Sequence, residues 1–176
     1  MTMQITFVTP LFPPDVSASA TYAKTLLTRL SNTNTVTGII YGYLPEAVTG
    51  TTLLTVDKRS RPLTRMMELF LLMWRQRHAK QYIVTNGPAT ELPLLLLAPF
   101  LRGRLVFVIF DTAAASRTVF ARLRLAYITL FAHRLITPRI TTLLPIEHHP
   151  FIPTDAAAEI NYQTAWSTHL TEFFSS

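Results

Sequence analysis

Six short apolar runs of strand length, most of them separated by segments with helical periodicity, constrain this chain more than any other feature. They are Gln4 to Thr9, Thr35 to Tyr41, Thr52 to Val56, Tyr82 to Thr85, Leu105 to Phe110 and Arg134 to Thr137. Most show little of the in-and-out alternation of a strand that is wet on one side. A strand apolar on both faces must be covered on both, which is the habit of parallel sheets lying under helices.

The intervening segments supply those helices. From Ala20 the apolar positions recur at Ala23, Leu26, Leu27 and Leu30, with Ser17 or Ser19 placed to cap the N-terminus. The loop holding Gly42, Pro45 and Gly50 is too short for a helix. Ser60 and Pro62 predict a capped helix running to about Arg77. Its inner side is read as Leu63, Met66, Met67, Phe70, Met73 and Trp74, with Leu69 and Leu72 nearer the face of Arg65 and Gln76. The segment from Ala89 to Leu101 is apolar nearly all round, so it is expected to be buried, with Pro99 kinking or ending it. Ser116 is placed to cap a helix to Ala132 striped by Val119, Phe120, Leu123, Tyr127, Leu130 and Phe131. Past the proline-rich stretch 138–153, Ile160, Trp166, Leu170 and Phe173 predict a C-terminal helix that docks on the domain. Strands joined by helices give an α/β fold: a single Rossmann-like, doubly wound, mostly parallel sheet with helices on both faces.

Composition narrows the functional classes. A length of 176 residues suits one domain with a real core. With 49% hydrophobic and 15% charged residues the chain is no disordered segment, and either its core is unusually well fed or some apolar surface is reserved for a partner or a membrane. A formal net charge of +6 favours anionic partners without choosing among them. The bases are mostly scattered, as on an ordinary solvated surface, with clusters at Lys58, Arg59, Arg61 and Arg65 and at Arg117, Arg122 and Arg124. Aromatics do not interleave with them as single-strand nucleic-acid binding requires, so no nucleic acid is expected. With no cysteine, thiolate catalysis and cysteine-based metal sites are excluded. Leu69 to Trp74 and Leu92 to Leu101 fall well short of the roughly 20 apolar residues of a membrane span. The opening MTMQITFVTP lacks the basic start of a signal peptide, so the expected place is cytoplasmic, peripheral on the inner membrane face.

In doubly wound sheets ligands collect where strands end at the carboxyl edge, so residues just after strands are the ones to weigh. The first strand runs into TPLFPPDVSASATY, a proline-braced loop ahead of a helix N-terminus, a natural place for an anion. Asn86 and Gly87 follow the fourth strand, and Asp111 and Thr112 follow the fifth. Asp111 could simply cap its turn. No G-x-G-x-x-G, P-loop or G-x-S-x-G string occurs. His148 and His149, beside Glu147, are adjacent on a loop and point in different directions with no third ligand spaced to converge, so no metal site is expected, and no cofactor either.

These same strings resemble the N-terminal, acceptor-side domain of family-four GT-B glycosyltransferases. TPLFPPDVSASATYAKTLLTRLS is similar to the family's opening loop and first helix. YIVTNGPATELPLLLLAPFLRGRLVFVIFD is similar to its fourth strand, buried helix and fifth strand, and LFAHRLITP to its Ala-Asp-Arg-Val-Ile-Thr run. The resemblance covers residues 1–140, leaving 141–176 as a proline-rich connection and a C-terminal helix packing on that domain. It implies one half of a GT-B fold. That half would serve a hexosyltransferase of polysaccharide biosynthesis, moving a sugar from a sugar nucleotide to a lipid-linked or polysaccharide acceptor. It further implies Ser17, Ala18 and Ser19 beside the donor phosphates, Asn86, Gly87 and Thr112 beside the acceptor, and Asp111 near the reacting hydroxyl. Ser17-Ala18-Ser19 stands where many members carry a glycine pair. The donor-binding half with its Glu-x7-Glu motif has no counterpart, so catalysis would need a separate donor-binding chain. The alternatives are an inactive truncated domain acting as a binding or scaffolding module, and a flavodoxin-like small-molecule binder.

Overall fold

A computed structural model of the chain describes residues 2–15, 17–42, 45–110, 118–138, 143 and 156–174. Its strands are β1 (Gln4–Thr9), β2 (Thr35–Tyr41), β3 (Thr51–Val56), β4 (Gln81–Thr85), β5 (Leu105–Val108) and β6 (Arg134–Ile136). The helices are α1 (Ala18–Ser31), α2 (Pro62–Arg75), α3 (Pro88–Leu97), α4 (Val119–Phe131) and α5 (Ala156–Phe174), and a 3-10 turn at Ala98–Leu101 prolongs α3. All six strands form one sheet in the order β3-β2-β1-β4-β5-β6. Every neighbouring pair is parallel. The single Rossmann-like sheet expected from the apolar runs is therefore present, with its strand order reversing between β1 and β4.

Alternate residues of each strand feed two cores. Ile5, Phe7, Ile83, Val106 and Val108 enter one with α1 and α5, while Val8, Val84, Leu105 and Phe107 enter the other with α2, α3 and α4. β2 reaches β3 without a helix among the described residues of the connection. Val48 plugs into the first core, and Gly50 supplies the left-handed turn at φ +76 that a side chain would strain.

Caps and faces depart from expectation where apolar residues are too plentiful for periodicity to choose. α1 is capped by Ser17, whose Oγ accepts from Ala20 N–H at 3.1 Å. α2 begins after Arg61, with no side-chain cap, because Ser60 closes a turn on Asp57 instead. On α2 the buried positions are Leu69 and Met73, whereas Leu63, Met66 and Met67 are exposed. α3 is not buried all round, since Leu92, Leu96 and Phe100 face outward. On α4, Ile128 carries the core contact and most of the expected stripe, Val119, Phe120, Leu123 and Leu130, is exposed. Thr118 caps α4 through Ala121 N–H, and Ser116 lies outside the described residues. Helices apolar over more than half their circumference present several candidate faces, and the position of the sheet selects one.

α5 is held by a buried aromatic group. Trp166 stacks on Tyr22 with ring centres 5.6 Å apart, and its indole N–H donates to Leu143 C=O at 3.0 Å. Arg29 lies over the Trp166 ring, and Gln81 donates its side-chain amide to Phe173 C=O. His169 sits 2.6 Å from the Tyr22 hydroxyl through Nε2 and 3.0 Å from Glu172 through Nδ1. Burial, then the Glu172 charge, pushes the tyrosine far up from its ordinary value, so its O–H donates to Nε2 while Nδ1–H donates to the carboxylate.

Two outcomes follow. Trp166→Ala removes a fully buried ring and should cost about 3–5 kcal/mol, read by denaturant unfolding. His169 is held below its ordinary pKa of 6.5, chiefly by burial, with Glu172 opposing. As pH falls the unfolded chain takes the proton first, so this contribution is full above about pH 6.5 and lost as pH drops through the lower folded-state value. Unfolding temperature should therefore fall on acidification below about pH 6.5, and His169→Phe should flatten that slope. Equal slopes for the two proteins would clear His169 of the effect.

Candidate functional site

The reversal of strand order sets β1 and β4 side by side at the centre of the sheet, and their connections leave in opposite directions. The carboxyl ends of these two strands border the crevice where such sheets bind ligands. Residues 10–15 and Ser17 form one wall and Asn86 and Gly87 the other.

The first wall is tightly braced. Thr9 Oγ1 donates to Leu11 C=O at 2.9 Å, Phe12 is buried in the core, and Pro13-Pro14 is a cis peptide. Asp15 ion-pairs with Lys58, tying this loop to the turn after β3. Pro13 C=O accepts from Glu46 N–H at 3.3 Å, and Glu46 pairs with Lys24 of α1. Ser17, Ala18 and Ser19 form the cap and first turn of α1, where helix geometry leaves backbone N–H groups without partners in the helix. The Ser17 hydroxyl already serves as the cap, and Asp15 stands two residues away, so an anion there would compete with a carboxylate neutralised by Lys58.

The opposite wall holds the end of β5. Asn86 N–H donates to Val108 C=O at 2.8 Å, and Asn86 Oδ1 accepts from Phe110 N–H at 2.9 Å. The Gly87 backbone is extended, so no left-handed turn calls for glycine there. The need is space, because a Cβ at Gly87 would come within 2.9 Å of Pro10 Cγ. That contact joins the two walls. Gly87 N–H donates to Glu91 Oε1 at 3.1 Å, and Glu91 Oε2 meets Arg124 Nε at 2.5 Å. The side chains of Glu91 and Arg124 are 7% and 17% exposed, so this ion pair beneath the rim is largely desolvated.

Among the expected site residues, Ser17 to Ser19 and Asn86 with Gly87 therefore follow the carboxyl ends of the neighbouring strands β1 and β4, while Asp111 and Thr112 lie outside the described residues, as do Glu147, His148 and His149. Among the described residues no group of three histidines, cysteines or carboxylates could hold a metal. Sequence reasoning overlooked the Glu91–Arg124 pair, although a signal was present. Glu91 is the one acidic residue between Gln81 and Phe110, and a lone carboxylate in an apolar helix has to find a partner. No family model matches the chain, and no curated protein matches it.

Glu91→Leu strands Arg124 beneath the rim and should lower stability by about 2–4 kcal/mol in urea unfolding. The double replacement Glu91→Leu with Arg124→Leu should recover most of that loss, because the uncompensated charge is gone. No recovery in the double variant would mean that the Gly87 N–H bond carries the effect.

Proposed function

We propose that the chain is the acceptor-binding half of a glycosyltransferase, moving a sugar from a sugar nucleotide to a lipid-linked or polysaccharide acceptor only together with a separate donor-binding partner. The observation carrying this reading is the switch-point crevice. It has a proline-braced wall and a helix N-terminus where a dinucleotide fold would place a glycine-rich turn. Such a wall suits an uncharged hydroxylated acceptor, while a donor diphosphate would draw its remaining contacts from the partner. Asp111 follows directly on Phe110, whose N–H Asn86 fixes, and its carboxylate would orient or deprotonate the acceptor hydroxyl. The reaction would take place at the cytoplasmic face of the membrane. No helix among the described residues is long and apolar enough to cross one.

A second reading, a binding or scaffolding module without transfer activity, is favoured by the engagement of Ser17 Oγ and Asn86 Oδ1 with the chain's own backbone. The two readings separate when the tagged chain is purified from its native cells in mild detergent. Transferase activity with a co-purifying Glu-x7-Glu chain supports the first, and Asp111→Ala should then reduce turnover by roughly 10²–10⁴-fold. Unchanged turnover in that variant removes Asp111 from the mechanism. A complex or lone chain inactive with every sugar nucleotide leaves the scaffold.

A further inference from the structure

The helical layer formed by α2, α3 and α4 covers one face of the sheet with Leu69, Met73, Leu94, Leu97 and Ile128. Its opposite side carries a second set of large apolar residues. On α2, Leu63, Met67 and Leu71 recur at helical spacing and point away from the buried Leu69 and Met73. On α3, Leu96 is 67% exposed, and on α4, Leu123 and Leu130 are 65% and 76% exposed. The three helices are neighbours, α2 packing on α3 and α3 on α4, so these residues share one surface. An apolar patch spread over three adjacent helices exceeds the scattered exposed leucines of an ordinary surface.

Charge identifies what would cover it. Residues 57–134 hold 13 of the 16 Lys+Arg and only 4 of the 10 Asp+Glu, so the rest of the chain is net negative. Two of those acids, Asp57 and Glu91, are paired with Arg59 and Arg124. Arg65, Arg77 and Arg104 donate to backbone carbonyls, which position them without cancelling their charge. Arg61, Arg75 and Arg102 are exposed on the same three-helix layer or at its ends. A second copy of the chain docking face to face would bring this basic surface against itself. An anionic interface with an apolar interior matches both features at once.

We propose that the outward surface of α2, α3 and α4 docks onto an anionic phospholipid bilayer, with the exposed leucines entering the interface and the arginines meeting the lipid phosphates. Because none of the described helices can cross a membrane, the domain would lie on the surface. The inference does not depend on glycosyl transfer.

The test is sedimentation of the full chain with vesicles of phosphatidylcholine alone or with about one quarter phosphatidylglycerol, at about 0.15 M salt. Binding to the anionic vesicles should exceed binding to neutral ones by about tenfold or more. Replacing one exposed leucine per helix, Leu71→Ser, Leu96→Ser and Leu130→Ser together, should reduce it by about tenfold or more while the fold persists, since none of the three is in the core. Circular dichroism and the unfolding transition check that persistence. Each single replacement is the fallback should the triple variant unfold, with a partial loss expected from each. Equal binding to both vesicle types, no binding to either, or undiminished binding by folded leucine variants would each overturn the proposal. A stoichiometric dimer in vesicle-free buffer that the leucine replacements dissolve would assign the face to a second copy instead.

Discussion

A sheet whose central strands are apolar on both faces cannot be left open to water on either, and most of the other features answer to that requirement. Ile5 and Phe7 drive one side of β1 into the core with α1, while Val8 drives the other toward α2 and α3. Neither half could stand alone, because the hydrogen-bonded sheet is shared and each face exposes it to water unless covered. The covering differs between the two sides. α1 and α5 close one face with a stacked aromatic group and directed hydrogen bonds, Trp166 to Leu143 and Gln81 to Phe173 among them. α2, α3 and α4 close the other by leucine and methionine packing, and they keep a second apolar surface outward.

The same constraint builds the crevice. Covering both faces forces the connections after β1 and β4 to opposite sides, and their starting loops meet at the carboxyl edge, where Pro10 packs against Gly87. Polar groups at that rim are bound mostly into its own structure: Ser17 into the α1 cap, Asn86 into the end of β5, Glu91 into Gly87 and Arg124. A rim so well satisfied is rigid, which suits positioning a ligand. It also leaves few side-chain groups free to contact one, and that tension separates the transferase reading from the scaffold reading.

Charge segregation adds a polarity to the molecule. Residues 57–134, which include the three helices, hold most of the lysines and arginines, whereas the connection before α5 and α5 itself are acidic. Arg65, Arg77 and Arg104 are held by carbonyls rather than by carboxylates, so their charge is not spent in local pairs as it is at Arg59 and Arg124.

What the sequence determined by itself was the class of fold. The six apolar runs match the six strands to within two residues at their ends, and the parallel arrangement follows from their two-sided hydrophobicity. A serine cap for α1, at Ser17 or Ser19, and the strand-end position of Asn86 and Gly87 were legible too, because caps and strand-end loops depend on local chemistry. Only the tertiary structure decided which faces of α2, α3 and α4 turn inward. Leu69 is buried and Leu63 is not, though both are leucines on the same helix. Periodicity reports that an apolar face exists, but with apolar residues nearly all round, the face buried is chosen by where the sheet and the neighbouring helices lie. The Glu91–Arg124 and Asp15–Lys58 pairs belong to the same category, since each joins residues more than thirty positions apart that no local pattern relates.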